Sequence, residues 1–184
     1  MGRARNLGKS IPSTGREREI GRYPDDRLQL CQSAPFSSGR KKGENKQAVG
    51  RSRGGRNTKI HALADAKGRL LAILLTGGEA HDCPVAERLF RRVKPSKYML
   101  GDKAYDSAEL RDDLGERGTK PVIPNRSNRK QPFGFNKRLY KLRWRIEAAF
   151  NRLKDFRRIA TRYDRQARNY LASVCLAATL VWWI

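Results

Sequence analysis

The sequence has 184 residues and a formal net charge of +23, because 41 Lys and Arg residues stand against 18 Asp and Glu. This length suits one domain with a hydrophobic core. The charge favours a polyanionic partner, nucleic acid before acidic membrane. Three widely spaced cysteines and two histidines provide neither a disulfide framework nor a zinc-ligand spacing, so small disulfide-rich and zinc-binding classes are excluded.

Charge and hydropathy divide the chain further. Residues 61–120 hold 11 basic and 10 acidic side chains, whereas residues 1–60 hold 15 and 5 and residues 121–184 hold 15 and 3. A near-neutral core between two basic arms is therefore expected. No apolar signal segment follows Met1, which predicts a cytoplasmic protein. The apolar run at residues 170–184 is shorter than the roughly 20 residues that cross a bilayer, so it predicts a buried terminal helix and no membrane partner.

Residues 1–48 are predicted to be a basic, disordered or aberrant N-terminal segment, since they are rich in Gly, Ser, Arg and Lys and poor in apolar residues. Within them only residues 27–31, RLQLC, suggest a strand. Periodic patterns begin after this segment, so residues 49–184 are predicted to form the folded domain.

The first elements of that domain are a hairpin and a helix. Two extended runs flank residues 65–68, DAKG, a turn sequence typical of antiparallel hairpins. The second run, residues 70–75, is almost wholly apolar, which favours a central strand. Asp82 and Pro84 are then expected to begin a short helix.

Short strands and helices alternate after it. An apolar run ends at Leu100, and residues 122–123 suggest a further strand between prolines. Between them Asp106 and Glu109 form an acidic variant of the capping box, which predicts a helix beginning there. This alternation predicts an α/β domain with a mixed sheet covered by helices.

The last third contains a helix with two distinct faces. Its apolar stripe falls at 3.6-residue spacing at Leu142, Ile146, Ala149, Phe150 and Leu153. A polar stripe beside it consists of Arg143, Glu147, Asn151, Lys154 and Arg158. Glu147 is either the partner of Arg143 in a solvated ion pair, which contributes a few tenths of a kcal/mol, or an acid kept for a ligand.

Asp102 favours the second interpretation of Glu147. It follows a short apolar strand, and open sheets bind ligands at the carboxyl ends of their strands. A turn or cap role is the alternative, but Asp106 is already predicted as the cap. Magnesium is usually held by one or two carboxylates together with substrate phosphates, so Asp102 and Glu147 suit a shared magnesium site.

The spacing of Tyr140, Arg143, Glu147 and Lys154 resembles a family signature. Together with GRSRGGRNTKIHALAD, GDKAYD, IPNRSNRK and NRLKDFRRIATRYD, it is similar to the catalytic domain of bacterial insertion-sequence DDE transposases with a Tyr-Arg-Glu-Lys signature. The resemblance covers about residues 50–184. It implies an RNase H-like mixed sheet flanked by helices.

The resemblance also implies a chemistry. Three carboxylates would hold two Mg²⁺ or Mn²⁺ ions for DNA strand cleavage and transfer. Asp102 matches the second carboxylate and Glu147 the third. Arg143 and Lys154 would contact phosphates near the scissile bond, and Tyr140 would help to place the DNA end.

The expected partners follow from the same resemblance. Double-stranded DNA, as insertion-sequence ends and target, would be bound by a homo-oligomer at the bacterial nucleoid. Further phosphate contacts are expected from two basic loops, at Arg51 and Arg53 and at Arg126, Arg129 and Lys130.

The first carboxylate departs from the family pattern, which has it on the first, apolar strand. The nearest acids are Asp25 and Asp26, but Tyr23-Pro24 precede them, and proline is unfavourable in a central strand. Asp26 is kept as the candidate. We interpret the chain as a truncated or frame-shifted copy, in which the residues before about Arg40 come from another reading frame. An inactive remnant and a non-catalytic basic nucleic-acid-binding protein are the alternatives to an active enzyme.

Overall fold

The computed structural model describes residues 28–38, 47–53 and 55–184. Within this part of the chain seven strands form one mixed sheet: β1 Leu28–Ser38, β2 Gly50–Ser52, β3 Gly55–Asp65, β4 Leu70–Gly77, β5 Tyr98–Leu100, β6 Lys120–Val122 and β7 Thr161–Arg162. The α-helices are α1 Asp82–Phe90, α2 Ala108–Glu116, α3 Lys137–Tyr140, α4 Trp144–Lys154, α5 Arg157–Ala160 and α6 Ala167–Trp182. Short 3₁₀ turns at Lys103–Tyr105 and Lys141–Arg143 precede α2 and α4.

The sheet is built around β1. Its neighbour on one side is β3, antiparallel, and beyond β3 lies β4, also antiparallel. On the other side β5 and then β6 run parallel to β1 and to each other, and the short β7 pairs in parallel with the end of β1. The predicted RNase H-like mixed sheet flanked by helices is therefore confirmed.

Helices cover both faces of this sheet. One core cluster joins Leu28 and Leu30 of β1 to residues of α4 and α6. A second cluster joins Cys31, on the opposite face of β1, to residues of α1 and α2. The period-two alternation of β1 thus places successive side chains in two different cores, and both faces of this strand are buried by helices.

The position of β1 corrects the prediction for residues 1–48, because residues 28–38 are the central strand of the sheet and not a loop. The strand that residues 27–31 suggest in the sequence is only the beginning of β1. The pattern is hard to read in the sequence because glutamines, serines and Pro35 interrupt the apolar residues, while helices supply burial on both faces. Residues 1–27 and 39–46 lie outside the described chain.

The predicted hairpin is confirmed, with Gly68 in its turn at φ +85°. A Cβ on Gly68 would lie 2.8 Å from the carbonyl oxygen of Arg145 in α4, so both conformation and space require glycine there. The prediction of a central position for β4 is wrong, since in the described chain β4 pairs with β3 alone. Its apolar composition arises because Leu70 packs on the α6 side and Leu74 on the α1 side.

The terminal helix α6 is buried along one face only. Tyr170 and Val174 are fully buried, whereas Leu176 is 67% exposed and Leu180 is 54% exposed. The prediction of a buried helix therefore holds for half of its circumference. In the described residues, no helix has both the length and the apolarity needed to cross a membrane.

Candidate functional site

Asp102 lies directly after β5, at the carboxyl end of that parallel strand. Its backbone is extended, and its Oδ1 accepts a hydrogen bond from the Ala104 N–H at 2.8 Å, which caps the 3₁₀ turn. The cap role is thus taken by Asp102 itself, contrary to the expectation that Asp106 would make it unnecessary. Because the cap uses Oδ1 and the side chain is only half-buried, Oδ2 is available to a ligand.

Helix α4 forms as its two stripes predict. The apolar residues Ile146, Phe150 and Leu153 are almost fully buried, which fixes the helix on the sheet. On the polar stripe Arg143 Nη2 donates to Glu147 Oε1, and the two side chains are 18% and 44% exposed. The ion pair expected from their spacing is therefore formed, on a face that stays open to solvent.

Arg143 also joins α4 to the central strand. Its Nη1 donates to Gln32 Oε1 at 2.9 Å, so one guanidinium contacts both Gln32 and Glu147. Fork-shaped donation of this kind fixes the relative position of two acceptors. Sequence reasoning missed Gln32, although a polar residue two positions after Leu30 on the same strand face is the signal that marks it.

The strand register brings Asp102 to the same place. Leu30 of β1 pairs with Leu100 of β5, and Gln32 and Asp102 each follow two residues later on these parallel strands. Leu30 and Leu100 both lie in the core beneath α4, so strand alternation directs the side chains of Gln32 and Asp102 toward that helix as well. Asp102 and Glu147 are thereby brought to one edge of the sheet, with Gln32 between them.

The two other residues of the signature lie before α4 and at its end. Tyr140 is half-buried, and its ring packs edge-on against Phe135 with centroids 5.6 Å apart. Lys154 is exposed, and its Nζ lies 5.8 Å from the ring centroid of Phe36 in β1. At an exposed site such a cation–π contact contributes about 1 kcal/mol.

In the loop after β6, two of the three cations predicted to contact phosphate also form hydrogen bonds within the chain. Arg129 Nε donates to Asp106 Oδ2 at 2.7 Å, and Arg126 Nη2 donates to the Ala104 carbonyl at 2.9 Å. Both guanidiniums are therefore engaged in holding the loop beside the strand end that carries Asp102. Lys130, which is exposed, lines an open cavity of about 450 Å³ with Arg126, Asn128 and Arg129.

Asp106, which lies just before α2, is the buried carboxylate to which that loop donates its hydrogen bonds. The predicted capping box is wrong, because Ser107 is the N-cap of α2 and Asp106 faces Arg111 and Arg129. Burial opposes its charge, but the hydrogen bonds from Arg129, the Arg126 N–H and Arg111 outweigh burial and lower the pKa of Asp106 to about 2. This carboxylate is ionised and saturated with donors, which makes it structural.

Arg51 and Arg53 lie away from Asp102 and Glu147. They are exposed in β2 and the turn after it. β2 pairs with the start of β3, which in turn pairs with Ser37 of β1. Ser37 is five residues beyond Gln32 on β1, about 17 Å along the strand. The structure does not bring these two arginines together with the Asp102 edge.

A separate polar network lies where β1 and β3 meet α1. Asp82 Oδ1 accepts from Ser33 Oγ at 2.9 Å and from Lys59 Nζ at 3.2 Å. Beside it His61, fully buried, hydrogen-bonds Thr76 at 2.8 Å. Burial lowers the pKa of His61 to about 4 against the opposing effect of Asp82. This histidine is neutral and has a structural role.

The donor set limits what metal the edge can hold. The described residues contain no group of three or more His, Cys, Asp or Glu side chains placed to bind a metal ion. β1 carries no acid, and Asp26, the candidate first carboxylate, lies outside the described residues. Two carboxylates with phosphate and water suit one divalent ion. They do not provide the three acids of the two-ion arrangement that the resemblance implies.

Comparison with known proteins gives a consistent picture. A protein-family profile described as a transposase DDE domain matches residues 27–182. A putative transposase for insertion sequence element IS6501 from Brucella ovis is 36% identical over 127 residues, which cover 68% of this chain and 97% of that protein. A putative transposase for insertion sequence element IS402 from Burkholderia cepacia is 30% identical over 194 residues, covering 98% and 88%.

Among solved structures, a piggyBac transposase synaptic complex with hairpin DNA aligns with 62% of this chain and 26% of that chain. The TM-score is 0.42 and the sequence identity is 16%.

Proposed function

The chain belongs to the transposase DDE-domain family, and from this premise we propose that it binds insertion-sequence DNA along the edge formed by β1, β5 and α4 and cleaves and joins strands there. The observation that carries the proposal is the double contact of Arg143 with Gln32 and Glu147. It fixes a half-exposed acid next to a strand end that holds Asp102, among cations that suit phosphate.

The cations of this edge would bind the phosphate backbone. Lys154 is exposed beside β1, and Arg143 keeps 18% of its side chain accessible. Tyr140 supports the start of the same helix and would pack against the DNA end. Lys130, Arg51 and Arg53 would extend the contact. Arg126 and Arg129 would hold the loop in place as well as adding charge. Phosphate neutralisation of this kind gives strong, salt-dependent affinity.

Transposases of this family use divalent metal in general. In this chain Asp102 and Glu147 would hold one Mg²⁺ or Mn²⁺, with DNA phosphate oxygens as further ligands. The ion would supply positive charge where the phosphodiester bond changes. Arg143 would orient Glu147, and the Ala104 N–H would orient Asp102.

The substrate defines the assembly and the place of action. Joining two ends of one element requires two DNA ends to be held together, so we expect a homo-oligomer on double-stranded DNA. The DNA lies in the nucleoid, and the protein would act there in the bacterial cytoplasm. The relatives that support this are transposases of bacterial insertion sequences by name.

A second candidate function is non-catalytic DNA binding, and the absence of any acid in β1 favours it. The two functions differ in the sign of one effect. If Asp102 and Glu147 bridge to phosphate through a metal, a D102N/E147Q double variant should bind duplex DNA more weakly than wild type in Mn²⁺, and more tightly in EDTA. A binder that has no metal site should bind more tightly in both, because only repulsion is removed.

The DNA surface is tested by fluorescence anisotropy of a short duplex as a function of salt. Lys154→Ala and Arg143→Ala should each reduce the slope of log K against log salt by about 0.9. Arg88→Ala is the control, since Arg88 is also exposed but lies on α1, on the opposite side of the sheet. Equal reductions from all three variants would contradict binding at this edge.

A further inference from the structure

β1 supplies an amide at the position where the edge lacks an acid. Every residue of this strand is described, and its sequence LQLCQSAPFSS has no carboxylate. Gln32 is a polar residue of β1 on the α4 side, half-buried and hydrogen-bonded to Arg143. It lies next to Asp102 in register and one guanidinium away from Glu147.

We propose that Gln32 stands at the third ligand position of the metal site and that its amide keeps metal affinity low. The inference deepens the proposed function, on which it rests for the roles of Asp102 and Glu147. It explains why the donor set does not fit the two-ion arrangement: the position exists in the fold, but the side chain at it is neutral.

The chemistry of the amide supports this. Magnesium and manganese prefer carboxylate oxygens, and affinity rises with the number of charged ligands. Gln32 has one acceptor atom, Oε1, which already accepts from Arg143 at 2.9 Å. Its other terminal atom is an N–H₂ group, which donates and cannot ligate a cation. A glutamine here therefore offers a metal only the second lone pair of a neutral oxygen that is already hydrogen-bonded to Arg143.

Arg143 strengthens the effect by its charge. It contacts Glu147 on one side and a neutral group on the other, so the local balance of Arg143, Glu147 and Asp102 is one negative charge. A carboxylate in place of Gln32 would raise it to two. Glu is isosteric with Gln, so the hydrogen bond from Arg143 Nη1 can be kept while one oxygen replaces the N–H₂ group.

The test is a titration of the full chain with Mn²⁺ in which electron paramagnetic resonance measures the concentration of the free ion. Gln32→Glu should bind Mn²⁺ about tenfold more tightly than wild type. Gln166→Glu, which adds the same charge at an exposed residue before α6, should change affinity less than about twofold. In a D102N background the gain from Gln32→Glu should disappear.

Gln32→Asp places a carboxylate at the same position on a shorter side chain. Thermal unfolding identifies any variant that has lost its fold. The proposal is overturned if neither folded acid variant binds Mn²⁺ more tightly than wild type, or if Gln166→Glu gives an equal gain. These results differ from failure of the proposed function, which would appear as wild-type Mn²⁺ binding that D102N leaves unchanged.

Discussion

Asp106 and Glu147 both lie among cations, but they differ in burial and in the number of hydrogen bonds that they accept. Asp106 has a fully buried side chain and accepts hydrogen bonds from two arginines and a backbone N–H. Glu147 has a side chain that is 44% exposed and contacts one arginine. Both are acids among cations, yet the first has every oxygen satisfied by the fold and the second has an oxygen to spare.

In a highly basic protein, structural and functional acids differ in how many donors the fold provides to each carboxylate. A carboxylate that is saturated with donors stabilises a loop and cannot accept a further ligand. A carboxylate that is oriented by one fork and left open to solvent can. Burial and donor count, more than the number of neighbouring cations, therefore indicate which acid a substrate or metal would meet.

The largest expected effect is on the buried acid. Asp106→Asn removes the charge that balances Arg111 and Arg129 and should lower the free energy of unfolding by about 3 kcal/mol, because buried cations are left without a counter-charge. Urea denaturation followed by circular dichroism measures it. Glu147→Gln, the matched change at the exposed acid, should cost less than about 0.5 kcal/mol. Equal losses in the two variants would show that Asp106 and Glu147 do not differ in structural role.

The second effect is the acid sensitivity of the same group. Folding lowers the pKa of Asp106 from its ordinary value of 3.8 to about 2. The ionised form is therefore favoured by the fold, and this stability is present above about pH 4 and is lost as pH falls toward about 2, in total about 2 kcal/mol. Wild type and Asp106→Asn should converge in stability over that window. A gap between them that stays constant down to about pH 2 would contradict the assignment.

A smaller effect is expected from Arg143. Removing its bonds to Gln32 and Glu147 in Arg143→Ala should cost about 1 kcal/mol, since both partners are half-exposed and can be solvated. Arg111→Ala should cost more, because Arg111 is 6% exposed and also binds the Ile123 carbonyl at 2.9 Å. Thermal unfolding of the two variants ranks them. The reverse order would show that the Arg143 edge is structural.

How far the sequence predicts these two regions depends on how local each one is. The two stripes of α4 and the pairing of Arg143 with Glu147 follow from 3.6-residue periodicity within one helix, so they could be predicted. The role of Asp106 could not, because its partner Arg129 lies 23 residues away and arrives only when the loop folds back. Its short-range match to a capping box pointed to the wrong partner.

Gln32 shows the same limit more strongly. Its contact with Arg143 spans 111 residues and depends on the register of β1 against β5. Within LQLCQSAPFSS the one local signal is that Gln32 is polar on the strand face that carries Leu30, and the strand itself is obscured because both of its faces are buried by distant helices. The candidate acids Asp102 and Glu147, in contrast, could be predicted from the sequence, Asp102 from its place at a strand end and Glu147 from its helical spacing.

The proposed chemistry requires Asp102 and Glu147 to share one ion. The decisive measurement is Mn²⁺ binding to the full chain by isothermal titration calorimetry, with Glu109→Gln, an exposed acid on α2, as the control. Wild type and Glu109→Gln should bind one weak ion, and Asp102→Asn and Glu147→Gln should each lower that affinity at least about tenfold. Unchanged binding in either of the last two variants, or an equal loss in Glu109→Gln, would contradict a shared site.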